Sequence, residues 1–102
     1  MGLDIKLTIR KDNEVYDEEE FNGRVTFLNI RNFMVGKYNY QYGECLKLNI
    51  TIIKSMVEEL INECWGKLDY IGNQRRLDFV RSLMDSYDYI KKGYEAYFEC
   101  NW

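Results

Sequence analysis

Neither histidine nor proline occurs in this 102-residue chain. Without histidine, the commonest general base and the commonest metal ligand are missing, and neither a Cys–His nor a Ser–His pair can form. Without proline, the usual marker of a stiff linker is missing too. No internal repeat or domain boundary shows, so residues 1–102 are expected to form one domain. Cysteine is scarce: Cys45, Cys64 and Cys100 are far apart, which is no disulfide framework and a poor zinc site. Their plainer role is as buried thiols in a reducing cytosol.

Long apolar runs are absent as well, and none reaches transmembrane length. At the start, Asp4 and Lys6 interrupt any signal-peptide run, and Lys6 stands where a myristoylation signal needs Ser or Thr. A soluble, cytoplasmic protein with no membrane association is expected. There is also no basic excess. Fourteen Lys and Arg against seventeen Asp and Glu give a net charge of −3, so direct general nucleic-acid binding is not expected. No glycine-rich phosphate loop is present. Asp4 and Glu44 could meet across neighbouring strands, but nothing in the sequence demands it, and nothing else resembles catalytic machinery. No enzyme activity, catalytic residue, metal or cofactor is expected.

What the chain does have is a folding composition, 46% hydrophobic and 30% charged. Leu3, Ile5, Leu7 and Ile9 alternate with Asp4, Lys6 and Thr8, which predicts a strand with one buried face. Residues 10–20 turn polar, with Asp17, Glu18, Glu19 and Glu20 in succession. Like charges this close repel, and the stretch is expected to be a solvated loop. Asn22-Gly23 is a hairpin signal, but its upstream flank is weak strand material. Residues 24–35 are assigned to a helix stopped by Gly36, with a strand as the alternative because Val25 and Thr26 are β-branched.

A short strand is expected at Cys45–Leu48, with Asn49 or Thr51 capping the next helix. In that helix Ile53, Met56, Val57, Leu60, Ile61 and Cys64 form one apolar stripe, ended by Gly66. A third helix is expected from a cap at Asn73 to about residue 92. Leu77, Val80, Met84 and Tyr87 are its inner stripe, widened by Phe79, Leu83 and Ile90, and Gly93 closes it. The tail alternates from Tyr94 to Trp102 as a last strand, placed centrally or beside the first. The order β-α-β-α-α-β gives an α+β fold, a small antiparallel or mixed sheet of about three strands packed against two or three helices.

Some of these residues carry a resemblance. The opening "MGLDIKL" resembles the Met-Gly-Leu-Asp-Met-Tyr-Leu start of small phage and mobile-element proteins of no settled activity. The segment "GECLKLNITIIKSMVEELINECW" is similar to their strand-then-helix segment, and "YEAYFECNW" to their aromatic strand ending in Trp. The match covers about half the chain in short pieces. Those relatives often carry Trp and His in the first helix, where this chain has "VTFLNIRNF" with neither. The resemblance implies a phage or mobile-element accessory protein in a bacterial host.

Three groups are candidate partner-binding residues. Tyr38, Tyr40 and Tyr42 alternate in "KYNYQYGEC"; if extended, they share one face. Three buried phenols would each need a partner, whereas exposed tyrosines suit a contact surface. Asp17, Glu18, Glu19 and Glu20 could imitate a phosphate backbone, or simply be solvated. Arg75 and Arg81 with Tyr89 could hold an anion, although local pairing with Asp78 and Asp85 is the plainer reading. The reading these support is a protein that binds a larger bacterial protein. Genomic analogy makes that partner a nucleic-acid-binding defence nuclease such as a CRISPR effector, blocked sterically. The alternatives are a module for a small nucleotide-like ligand, or a structural protein or homodimer.

Overall fold

The alternation at the start of the chain does form a strand, β1 (Asp4–Lys11), and it buries Leu3, Ile5, Leu7 and Ile9 on one side. The computed structural model describes residues 2–62 and 70–102. After β1 the chain does not enter a loop. Asp12 and Asn13 both take positive φ, 54° and 66°, the backbone of a two-residue hairpin turn that Asp and Asn tolerate well. The chain then returns as β2 (Glu14–Asn22), antiparallel to β1. Like-charge repulsion does not prevent this, because successive side chains of a strand point to opposite faces.

Asn22-Gly23 marks a strand-to-helix junction rather than a hairpin. Gly23 has φ 136°, donates its N–H to the Leu3 carbonyl (3.0 Å) and accepts from Phe27 N–H (3.0 Å). From there α1 (Arg24–Tyr38) runs straight through Gly36. Glycine weakens a helix by about 1 kcal/mol relative to alanine but ends one only when its backbone leaves the helical region. The residue that does so is Asn39, with φ 53° and ψ 39°. The short β3 (Cys45–Lys47) leads into α2 (Ile50–Asn62), whose cap is Asn49: its Oδ1 accepts from Ile52 N–H at 2.8 Å. The expected continuation of α2 to Cys64 and Gly66 lies outside the described residues.

The third helix, α3 (Tyr70–Lys91), begins before Asn73, so that residue sits inside the helix rather than capping it. Its buried centre is also rotated from expectation. Phe79 and Leu83 are fully buried, whereas Met84 is 47% exposed and Leu77, Val80 and Tyr87 lie at the margin. The inward face includes polar residues that have partners. Arg76 Nε donates to the Thr26 carbonyl (3.2 Å), Ser86 to the Ser82 carbonyl (2.9 Å), and Ser82 to Glu19 Oε2 (2.7 Å). A buried polar group is tolerated once it is hydrogen-bonded. After Gly93 (φ 95°), β4 (Glu95–Asn101) alternates as expected, burying Ala96, Phe98 and Cys100.

Among the described residues the fold is α+β: a four-stranded antiparallel sheet, one strand more than expected, with three helices. Strand order is β2-β1-β4-β3, so β4 lies beside β1 and both are central. The helices share one hydrophobic core with the apolar sheet face. Among the described residues, no helix is long and apolar enough to cross a membrane.

Tyr40 ties the connection after α1 to this sheet. Its hydroxyl accepts from Cys100 N–H (2.6 Å) and donates to the Glu44 carbonyl (2.5 Å), and its ring stands edge-on to Phe98. Burial pushes its phenol above the ordinary range, which keeps the donating proton in place. Replacing Tyr40 with Phe strands a buried N–H, and we expect a loss of about 1–3 kcal/mol in denaturant unfolding. Unchanged stability would show that the hydroxyl is not a clamp.

Candidate functional site

The acidic run of β2 occupies an edge of the sheet. Its nine residues include Glu14, Asp17, Glu18, Glu19 and Glu20 and no Lys or Arg, and nearly all are exposed. The register sorts these carboxylates by face. Glu18 and Glu20 stand opposite Thr8 and Lys6 on the open face of the sheet; Asp17 and Glu19 stand opposite Ile9 and Leu7 on the helix side. Glu19 is committed there by Ser82, and Asp17 Oδ1 accepts from the neighbouring Glu18 N–H (2.9 Å).

So acidic an edge stays attached because aromatic residues hold both its ends. At one end Phe21 packs edge-on to Phe79 (5.1 Å between centroids) and near Phe27 (6.1 Å). At the other end the register slips between Ile9 and Arg10, and the extra residue of this bulge is Tyr16. Tyr16 meets Tyr94 (5.1 Å) and Tyr89 (5.5 Å) edge-on, with Lys11 Nζ 4.6 Å from the Tyr94 ring. Partial burial, and then Tyr16, push the Tyr89 phenol upward. Aromatic pairs of this geometry contribute about 0.5–1.5 kcal/mol each beyond area burial. Val15 and Tyr16 remain more than half exposed beside the carboxylates, at 51% and 59%.

The open face carries alternating charge across the strands. Lys6 lies between Glu20 and Glu99, and reaches Glu99 at 3.8 Å. Arg10 lies between Val15 and Glu95, with its guanidinium 6.0 Å from the Tyr97 ring. A depression of about 210 Å³ runs over Lys6, Thr8, Arg10, Glu18, Tyr97 and the exposed Cys45. By contrast, Cys100 is buried, and that burial pushes its thiol up to about 12. Asp4 and Glu44 do not meet across adjacent strands, because β4 separates β1 from β3. Among the described residues, no group of three or more Cys, Asp or Glu could hold a metal ion.

The other candidates are dispersed. Tyr38, Tyr40 and Tyr42 do not share a face, because the segment is not extended. Tyr38 ends α1 and hydrogen-bonds the Ser55 hydroxyl (2.5 Å), Tyr40 is buried, and Tyr42 is 63% exposed, edge-on to Trp102 (5.1 Å). Arg75, Arg81 and Tyr89 lie along α3, and fourteen residues of helix span about 21 Å. Arg81 pairs with Asp78 (3.7 Å), while Arg75 lines a cleft of about 200 Å³ with Glu20, Phe21 and Asp78. Sequence reasoning missed the Tyr16–Tyr89–Tyr94 cluster. The signal that could have found it is Asp12-Asn13, a turn pair that would have made 14–22 a strand.

The open face yields a pH test. Glu95 accepts from the Tyr97 hydroxyl (2.5 Å) and pairs with Lys47 Nζ (3.3 Å); these, in that order, hold its carboxyl below the ordinary 4.5. The stabilisation is present above the ordinary value and is lost as pH falls through the lowered one. In Tyr97→Phe, an NMR titration should place the Glu95 midpoint higher than in the parent chain. An unmoved midpoint would remove the hydroxyl as the main cause.

Against known proteins the chain stands without a match: no family model, no curated protein and no solved structure matches it.

Proposed function

We propose that this chain works by binding another protein, and that it presents β2 to a basic surface on that partner. The observation that carries the reading is the exposed edge with five carboxylates and no balancing cation on its own strand. A strand rises about 3.4 Å per residue, and each strand of B-DNA carries one charge per about 3.4 Å of axis. Measured along the strand, Asp17 to Glu20 therefore matches the charge density of one phosphate backbone, with the carboxylates divided two to each face and about 6.8 Å apart on a face. An edge of this kind suits a surface built to hold nucleic acid. The exposed Val15 and Tyr16 add apolar contact beside the charge.

The narrower reading, an inhibitor that occupies the nucleic-acid channel of a bacterial defence nuclease, draws on the same strand and on the resemblance to phage and mobile-element proteins. A small-ligand module has weaker support, because Arg75, Arg81 and Tyr89 are too far apart to grip one small molecule.

The test neutralises Asp17, Glu18 and Glu20 as Asn, Gln and Gln and keeps Glu19, which accepts from Ser82. The immobilised parent chain should capture a basic protein from bacterial lysate. Retention should fall steeply between about 50 and 200 mM salt, and duplex DNA should compete. The triple variant should lose at least tenfold in affinity, with stability within about 1 kcal/mol of the parent. Capture that survives neutralisation unchanged would overturn the reading.

A further inference from the structure

The outer side of the α2–α3 pair carries a groove of about 340 Å³ that the acidic edge does not share. Its floor is apolar, made by Ile53, Val57, Met84 and Tyr87, and Lys54 and Glu58 stand on its rim. Met84 and Ile61 are nearly half exposed, at 47% and 46%. Ile61 follows Val57 by four residues and so continues the apolar stripe on the same face of α2.

The rim charges indicate what fits here. Lys54 and Glu58 are four residues apart, about 6 Å along the helix axis. Among the described residues, neither has an ion-pair partner within 4.0 Å, and they do not pair with each other. A two-fold axis passing beside Val57 would reverse their order. It would set Lys54 opposite Glu58 of a second copy, and Glu58 opposite Lys54, with the apolar floors face to face. An isologous contact needs this self-complementarity, in which residue i meets j and j meets i. A uniformly acidic or basic partner would match only one of the two charges.

We propose that this groove is a homodimer interface, in which two copies dock α2 against α2 about a two-fold axis and exchange Lys54–Glu58 pairs. α2 is 13 residues, about 20 Å long; a patch of that length and similar width buries about 800 Å² over the two copies, below the usual range of specific interfaces, so the dimer is expected to be weak, with Kd in the micromolar range. The proposal does not rest on the partner-binding reading, since no β2 residue lines the groove.

Sedimentation velocity of the full chain over a concentration series from about 5 to 500 μM tests it against that affinity range. The parent chain should shift from monomer to dimer across the series. Lys54→Glu alone and Glu58→Lys alone should each weaken association about tenfold, through like-charge contacts, and Met84→Lys should abolish it. The double swap should restore the parent affinity to within about threefold, because the pairs are re-formed with signs exchanged. Circular dichroism melts of each variant separate association from folding. A parent chain that stays monomeric throughout overturns the proposal. So does a double swap no better than the single variants, or single swaps that leave association unchanged.

Discussion

The antiparallel pairing of β1 with β4 is the contact on which the rest of the structure depends. It joins Asp4–Arg10 to Glu95–Asn101 and places Ile5, Leu7 and Ile9 beside Cys100, Phe98 and Ala96 on one face. That shared face is the floor of the core, and Phe27, Ile53, Phe79 and Leu83 close over it from the helices. Because the side-chain period of a strand is two, the same register also decides the other face. Once the apolar residues point inward, Lys6, Thr8, Arg10, Tyr97 and Glu99 must point outward. A slip of one residue would bury the charges and expose the core.

Much of this could be seen in the sequence, for reasons particular to each segment. β1 and β4 alternate cleanly, and Asn49 before an apolar stripe marks the start of α2. Both signals are local, and the structure uses both. β2 was hidden because its pairing depends on a neighbour. Five carboxylates in nine residues look like a loop until Lys6 and Thr8 stand opposite two of them and Phe21 and Tyr16 pin the ends. The centre of α3 was misplaced for a related reason. Ranking side chains by polarity sends Arg76, Ser82 and Ser86 outward, yet each has a hydrogen-bond partner inside. Glycine misled at Gly36, where the backbone stays helical, while Asn39 supplied the left-handed residue.

The candidate site was legible in part. The acidic run was visible, but its placement on an edge, with alternate carboxylates on opposite faces, follows from the sheet and not from composition. The tyrosine row dissolved because one residue ends a helix, one is a buried clamp and one is exposed against Trp102. Away from β2, charge on the open face is balanced, with Lys6 and Lys47 each held by a Glu; exposed pairs of this kind contribute about 0–1 kcal/mol each. The acidic excess on that face comes from Glu18 and Glu20 of β2.

The hairpin turn at Asp12-Asn13 has a consequence for the newly made chain. β1 and β2 can zip together within microseconds, whereas the inner edge of β1 has to wait about ninety residues for β4. Through that interval Ile5, Leu7 and Ile9 have only one of their two neighbouring strands. The repulsive carboxylates of β2 guard only the outer edge of the nascent hairpin against pairing with another chain, so the inner edge of β1 is the one that stays open until β4 arrives.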